Sequence, residues 1–200
     1  MAQPIVFHFD FSSTYGYIAS TKIDALAARF GREVLWKPFL LGATFKVTGL
    51  PSLPSVPLKG DYSARDVLRS ARFHGVPFRM PTVFPISTQA PARAFYWLTD
   101  RDPAAARQLA AALYRAYFVD DVNISNPSDT AKVAASLGHD EAAVLAALED
   151  PAIKLRLKTE TESAIARGVF GSPFIFVDDE PFWGVDRLDQ VARWLETGGF

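Results

Sequence analysis

Ser12 and Ser13 lie at a turn where a hydroxyl group could take part in chemistry. Residues 5–11 form a short apolar run rich in aromatic and β-branched side chains, which predicts a buried strand. Apolar residues at helical spacing follow over residues 19–30, and Gly31 stands where a helix commonly ends. The pattern places two hydroxyls at the N-terminus of a helix, where free backbone N–H groups favour an anion such as a thiolate. The alternative is that one of the serines is only a helix N-cap.

Two segments near the C-terminus also carry residues that could bind a ligand. Gly171-Ser172-Pro173 directly precedes a predicted strand. An X-Pro bond at such a place is ordinarily trans, but a cis Pro173 would present the Ser172 backbone like a strand edge, to which an extended peptide can pair. Asp186 precedes the last predicted helix and is either its cap or a carboxylate for the ammonium group of a ligand.

The remaining titratable residues give weaker signals. His8, His74 and His139 are far apart and lack metal-ligand spacing, so no metal site is predicted. Asp10, beside the serines, is interpreted as a hydrogen-bond acceptor or as a group with a perturbed pKa. Because no G-x-S-x-G motif occurs, a serine-hydrolase triad has no support.

Composition narrows the class of protein. The chain has 200 residues, 49% of them hydrophobic, which fits one large domain or a small domain with an insertion. A net charge of -1 without a basic block argues against a nucleic-acid partner, and no apolar run is long enough to span a membrane. Residues 1–4 lack the features of a signal peptide, so a cytoplasmic location is expected. The absence of cysteine excludes disulfides, cysteine nucleophiles and zinc–thiolate sites.

The order of predicted elements is βαβ, then an all-helical block, then αββα. After the first strand and helix the pattern predicts a strand at 34–41, a loop at 42–60, helices at 61–74, 90–99, 104–118, 127–138, 140–148 and 151–168, strands at 174–177 and 182–183, and a helix at 187–196. The two β-containing ends must share a sheet, because two strands alone are marginally stable. This predicts an α/β fold, in which residues 1–42 and 165–200 form a thioredoxin-like domain and residues 43–164 form a large inserted helical domain.

Three motifs carry a resemblance to a known family: residues 9–17, 169–173 and 182–187. Together they resemble the 2-hydroxychromene-2-carboxylate isomerases, which are related to kappa-class glutathione transferases in the DsbA-like branch of the thioredoxin fold. In this resemblance Ser13 and Gly16 take the two cysteine positions of a dithiol oxidoreductase. The resemblance implies that the thiol is supplied by glutathione, as cofactor.

The resemblance also implies roles for individual residues. Ser13 is the expected catalytic residue, its hydroxyl donating to the glutathione sulfur. The expected glutathione-binding residues are Ser13, Ser172, Pro173, Trp183, Gly184, Val185 and Asp186. The expected substrate-binding residues are Phe45, Lys46, Lys59 and Thr88. The implied reaction interconverts 2-hydroxychromene-2-carboxylate, or a related compound of aromatic catabolism, and trans-o-hydroxybenzylidenepyruvate, in a homodimer.

The sequence departs from the family pattern at a few positions and leaves other functions open. Thr14 stands where the family often has proline, Val185 where it often has asparagine, and Leu50 where kappa-class relatives tend to have a polar residue. One alternative is a kappa-like glutathione transferase or peroxidase on the same scaffold. Another is a non-enzymatic thioredoxin-fold protein that binds extended peptides along the Pro173 edge.

Overall fold

The computed structural model describes residues 3–200, and its centre is a four-stranded sheet with the order β2-β1-β3-β4. The strands are β1 (Ile5–Phe9), β2 (Val34–Pro38), β3 (Phe174–Val177) and β4 (Glu180–Trp183). β1 pairs in parallel with β2 and antiparallel with β3, and β3 and β4 form an antiparallel hairpin. The two ends of the chain therefore share one sheet, as the sequence predicts.

Helices make up most of the rest of the described chain. They are α1 (Thr14–Ser20), α2 (Ile23–Ala28), α3 (Leu41–Thr48), α4 (Lys59–Phe73), α5 (Gln89–Thr99), α6 (Pro103–Phe118), α7 (Pro127–Ala135), α8 (Glu141–Glu149), α9 (Pro151–Ala166) and α10 (Leu188–Thr197). Short 3-10 helices cover Leu53–Ser55 and Val185–Arg187. The helices α3 to α9 all lie between β2 and β3 in the chain, whereas the division into two domains remains a prediction.

The two central strands, β1 and β3, are buried on both faces of the sheet, by different groups of side chains. On the face of the larger core, Phe9 of β1 contacts Phe95 of α5 and Tyr114 of α6. On the opposite face, Phe176 of β3 belongs to a smaller cluster with Ala164 of α9. Successive residues of a strand point to opposite faces, so a strand covered on both sides is a continuous apolar run, as in the Phe-Ile-Phe-Val sequence of β3.

The segment after β2 differs from the sequence prediction. The predicted strand 34–41 ends at Pro38, and the predicted loop 42–60 begins with a helix, α3. Its first N–H groups find distant acceptors, because Leu40 donates to the Thr161 hydroxyl and Leu41 donates to the Asp10 carboxylate. These partners are 121 and 31 residues away, so no local sequence signal announces this helix start.

The first predicted helix is divided in the structure into α1 and α2. The hydroxyl of Thr21 donates to the Ile18 carbonyl, and the backbone N–H groups of Thr21 and Lys22 bond three residues back. This tighter turn ends α1 before α2 begins at Ile23. The apolar spacing continues through the break, since Ile18, Ile23 and Ala27 are all buried.

Candidate active site

The Ser13 side chain lies where β1 gives way to α1, at the carboxyl end of the strand. It is 7% exposed, and its hydroxyl oxygen accepts the Gly16 N–H at 2.9 Å, which makes Ser13 the N-cap of α1. The same hydroxyl donates to the Ser172 carbonyl at 2.8 Å. One atom therefore caps the helix and joins the first motif to the third strand's entry loop.

The Ser172-Pro173 peptide bond is cis and lies against the start of α1. The Ser172 hydroxyl accepts the Asp10 N–H at 3.0 Å, and the Pro173 carbonyl accepts the Gly184 N–H at 3.1 Å. Within residues 3–200 the Ser172 N–H donates no hydrogen bond. The loop is thus fixed on both sides while one backbone donor stays available beside Ser13.

Gly16 allows this close approach of α1 to the loop. A Cβ at this position would lie 2.9 Å from the Ser172 hydroxyl oxygen and 3.0 Å from that of Ser13. Such contacts would push the two serine side chains out of place. The glycine therefore has a steric role in this turn.

Asp10 is the buried polar centre under the turn, with 3% of its surface exposed. Its carboxylate accepts the Ser12 N–H at 2.7 Å, the Leu41 N–H at 2.9 Å and the Thr88 hydroxyl at 2.9 Å. Burial raises the pKa of this carboxyl, and the three hydrogen bonds oppose that rise. Thr88, an expected substrate contact, is 4% exposed and directs its hydroxyl to Asp10.

The third motif, residues 182–187, lies beside Gly171 in the loop that precedes Pro173. Trp183 is 55% exposed and packs over Gly171, where a Cβ would lie 2.2 Å from the indole nitrogen. Its ring also meets Phe170 edge-to-face, with centroids 4.9 Å apart. Val185 is buried, so its side chain belongs to the core and only its backbone is available to a ligand.

Asp186 is exposed and lines a cavity of about 330 Å³ between α4 and the start of α10. Gly184, with φ of 110°, lets the Asp186 carboxylate fold back, since a Cβ there would be 2.4 Å from that carboxylate. Arg69 of α4 lines the same cavity. The Asp186 carboxylate lies 3.4 Å from the Arg187 guanidinium. The cavity thus holds charges of both signs.

A hydrogen-bonded clasp between α1 and α4 is a feature that the sequence interpretation missed. The Tyr15 hydroxyl donates to Asp66 at 2.6 Å, and Arg69 forms an ion pair with the same carboxylate. The Tyr15 hydrogen bond is the main cause that lowers the pKa of Asp66. The spacing of Tyr62, Asp66 and Arg69 on one helix face is a usable signal, but the contact with Tyr15 is 51 residues away.

Three of the four expected substrate residues lie on the helices α3 and α4. Phe45 is half-buried and Lys46 is exposed on α3, whereas Lys59 is the exposed first residue of α4. α3 is held to the loop before Pro173, because the Thr44 hydroxyl contacts the Phe170 carbonyl at 3.3 Å. Arg93 of α5 donates to the Leu148 carbonyl at the end of α8, as a cation does at a helix C-terminus.

No group of three or more metal-ligating side chains is present in the part of the chain that the structure describes. The same range, residues 3–200, contains no helix long and apolar enough to cross a membrane.

The fold and the site together define the class of protein as thioredoxin-like. A strand-to-helix turn faces a cis-proline loop, and a group of helices is inserted after the second strand. The chain belongs to the DSBA-like thioredoxin domain family, whose sequence profile matches residues 4–196. The predicted α/β thioredoxin-like fold with a helical insertion is therefore confirmed.

The relatives within this family are named for two activities. A 2-hydroxychromene-2-carboxylate isomerase of Pseudomonas putida is 30% identical, over 91% of this chain and 89% of its own. Glutathione s-transferase kappa 2 of Caenorhabditis elegans is 29% identical, over 96% of this chain and 91% of its own. A solved 2-hydroxychromene-2-carboxylate isomerase superposes with a TM-score of 0.87 at 28% identity, covering 97% of this chain and 95% of that one. The resemblance derived from the three motifs is confirmed.

Proposed function

We propose that this protein is a glutathione-dependent isomerase that interconverts 2-hydroxychromene-2-carboxylate, or a related aromatic compound, and trans-o-hydroxybenzylidenepyruvate. The observation that carries the proposal is the Ser13 hydroxyl, placed at the cis Pro173 loop in a chain without cysteine. A dithiol reaction is impossible here, so sulfur chemistry at this place requires a thiol from outside. Relatives named as isomerases of this type support the same assignment.

Ser13 is proposed to stabilise the glutathione thiolate by donating its hydroxyl hydrogen to the sulfur. A hydrogen bond to the charged form lowers a thiol pKa from about 8.5 and increases the thiolate fraction near neutral pH. In the structure this hydrogen is given to the Ser172 carbonyl. An N–H of the cysteinyl residue of glutathione can replace it as donor to that carbonyl, which frees the Ser13 hydroxyl to turn toward the sulfur.

Two of the three residues of glutathione, the cysteinyl and the γ-glutamyl residue, are matched by features of the proposed site. The free Ser172 N–H offers an edge for the extended cysteinyl backbone, beside Pro173 and Trp183. The cavity lined by Asp186 and Arg69 suits the γ-glutamyl group, which carries an ammonium and a carboxylate. Gly184 and the backbone of Val185 complete this side of the proposed glutathione site.

The proposed reaction proceeds by reversible addition of the thiolate. The cyclic hemiketal must first open: its ring C–O bond breaks, the phenol oxygen takes the proton of the hemiketal hydroxyl, and the hydroxyl oxygen becomes the ketone oxygen. A glutathione thiolate held at Ser13 would then add to the double bond conjugated with that ketone, and the π electron pair would move to the ketone oxygen. The former double bond is then single and rotates. Return of the electron pair re-forms the double bond and expels the thiolate, so glutathione is not consumed. Covalent addition divides one difficult isomerisation into easier steps.

The substrate is proposed to lie between Ser13 and the helices α3 and α4. The ammonium groups of Lys46 and Lys59 are exposed and can pair with the substrate carboxylate, while Phe45 offers an aromatic wall. Thr88 would reach a substrate through its hydroxyl only by giving up its bond to Asp10.

Glutathione binding measured by calorimetry tests the proposal. We expect the wild type to bind, Asp186→Ala to weaken binding about tenfold or more through loss of a charged partner, and Ser13→Ala to raise the pKa of the bound thiol. Asp189→Ala is the matched control, because Asp189 lines the same cavity and has no proposed ligand. Absence of binding by the wild type at millimolar glutathione would overturn the enzyme assignment and favour the peptide-binding alternative.

A kappa-like transferase or peroxidase is the second candidate, and the relative named glutathione s-transferase kappa 2 is the observation that favours it. The same thiolate would then form a conjugate or reduce a peroxide, and either reaction consumes glutathione. Turnover of the isomerase substrate at constant total glutathione separates the two functions. A stoichiometric loss of glutathione during turnover would assign the transferase.

We further propose that the protein is a homodimer. Leu58 and Phe73, at the two ends of the α4 region, are 86% and 84% exposed, which is unusual for large apolar side chains. Sedimentation of Phe73→Ser is expected to show a larger monomer fraction than the wild type. Phe200→Ser, which removes an exposed aromatic residue at the C-terminus, is the control. A monomeric wild type at micromolar concentration would contradict the proposal.

A further inference from the structure

The Asp10 carboxylate is bonded in the manner of an ionised group. Of the three groups that bond to it, two are backbone N–H groups, one on each carboxylate oxygen, and the third is the Thr88 hydroxyl. Backbone N–H groups can only donate, so both oxygens must offer lone pairs. Donors on both oxygens stabilise the charged form of the carboxyl and oppose the rise in its pKa that burial causes.

Within residues 3–200, Asp10 is held by hydrogen bonds and not by an ion pair. Burial raises the pKa of Asp10, the hydrogen bonds oppose that rise, and no basic side chain is among these causes. The titratable groups that face it are two phenols of α6, Tyr114 and Tyr117, and burial raises the pKa of both. Both phenols are therefore neutral near neutral pH, and the negative charge under the turn is offset by the hydrogen-bond donors of Ser12, Leu41 and Thr88 rather than by an ion pair.

Asp10 also touches each segment that surrounds Ser13. Its carboxylate bonds Ser12, the first residue of α3 and the residue before α5. Its own N–H donates to the Ser172 hydroxyl, and its carbonyl accepts the Tyr114 hydroxyl at 3.0 Å. The charge is thus fixed beside the place where Ser13 meets Ser172.

We propose that Asp10 is a positioning residue whose buried negative charge opposes the acidification of a thiol held at Ser13. This inference rests on the proposed function and adds a control of thiolate reactivity to it. A hydrogen bond from Ser13 alone would make the thiol more acidic, and a more acidic thiolate is a weaker nucleophile. Reversible addition needs a thiolate that is both abundant and nucleophilic, which requires a thiol pKa near the working pH.

The effect of Asp10 on a thiol can be measured in the Ser13→Cys variant. The chain contains no cysteine, so this substitution introduces its only thiol. The pKa of this introduced thiol is measured from thiolate absorbance and from the rate of alkylation as a function of pH. Adding Asp10→Asn, which removes the charge, is expected to lower that pKa by about one unit. No glutathione is needed, so this test can fail or succeed independently of the proposed cofactor.

Thr88→Val in the Ser13→Cys background is the matched control. It removes one hydrogen bond to Asp10 but keeps the charge, so we expect the thiol pKa to change by less than about a third of the Asp10→Asn shift. An equal shift in both variants would mean that loosening of the turn, not charge, sets the pKa, and this would overturn the proposal. An unchanged or higher pKa in Asp10→Asn would overturn it as well.

If the Asp10→Asn variant does not fold, a second measurement tests the proposal. The carboxyl carbon-13 shift of Asp10 in Ser13→Cys reports its ionisation directly. An ionised carboxylate across neutral pH supports the proposal, and a protonated one overturns it. Where Asp10→Asn folds, the same fall in the pKa of bound glutathione, measured with Ser13 intact, extends the effect to the proposed cofactor.

Discussion

At the scale of the residue, the same hydroxyl serves structure and proposed chemistry. Ser13 caps α1 through Gly16 and donates to the Ser172 carbonyl, so the interpretation as an N-cap holds geometrically. A capping side chain has a fixed position, and a fixed donor is what stabilisation of a thiolate requires. The two interpretations of this serine are therefore compatible.

Ser13→Ala is expected to lower kcat/KM by about a hundredfold and stability by about 1 kcal/mol, because it removes both the donor to sulfur and the cap. Steady-state kinetics and thermal unfolding measure the two losses. Ser12→Ala is the matched control, since the Ser12 hydroxyl accepts the Ile86 N–H at 3.1 Å whereas Ser13 is the N-cap of α1. A comparable loss of activity in Ser12→Ala would argue against a special role for Ser13.

At the scale of the element, the clasp from Tyr15 to Asp66 fixes α1 against α4. α4 carries Lys59 at its start and Arg69 farther along, so its placement sets both the proposed substrate side and the Asp186 cavity. The pKa of Asp66 is lowered in the folded state, so the clasp stabilises the fold above the unfolded pKa near 4 and is lost as pH falls.

Tyr15→Phe is expected to cost about 1 kcal/mol at neutral pH, a low value for a hydrogen bond to a carboxylate because Asp66 is partly solvated. Denaturant unfolding at neutral and at acidic pH measures the cost and its disappearance in acid. Tyr62→Phe removes a longer bond of 3.3 Å to the same carboxylate at an exposed position. An equal cost in the two variants would show that the clasp does not join α1 to α4 energetically.

At the scale of the whole molecule, the burial of His8 in the sheet makes the stability of the fold depend on pH in the acidic range. His8 is 4% exposed, its Nδ1 has no hydrogen-bond partner among residues 3–200, and its ring packs edge-on against Phe39 and Phe176. Burial, with smaller contributions from Lys37 and Arg167, lowers the pKa of His8 to about 3. This histidine is therefore neutral in the folded protein, and it stabilises the core as an aromatic residue.

Because the pKa of His8 is lower in the folded than in the unfolded state, stability is full above about 6.5 and falls as pH decreases toward about 3. The slope is about 1.4 kcal/mol per pH unit over that window. His8→Leu is expected to flatten it, as measured by chemical unfolding at several pH values. His139→Gln, on the insertion, should retain the wild-type slope. An unchanged slope in His8→Leu would assign the acid loss to other groups.

The sequence by itself determined the architecture and the places where the motifs stand. Strand runs such as Phe174–Val177 are apolar throughout, and signals such as Asn126 before Pro127 mark helix starts, so both are recognised from residues that are adjacent in the sequence. The resemblance located Ser13 and the Pro173 loop because those motifs are also local. The predicted roles of the site residues remain predictions.

Only the tertiary structure determined which residues from distant segments form hydrogen bonds with one another. α3 forms because Asp10 supplies an acceptor for Leu41, and the same carboxylate holds Thr88 in the interior. Tyr15 bonds to Asp66, and Arg93 bonds to the last turn of α8. Both pairs are more than 50 residues apart in the sequence, so a local sequence pattern does not predict them. A buried polar group must be paired wherever the fold brings a partner, so its partner is known only when the packing is known.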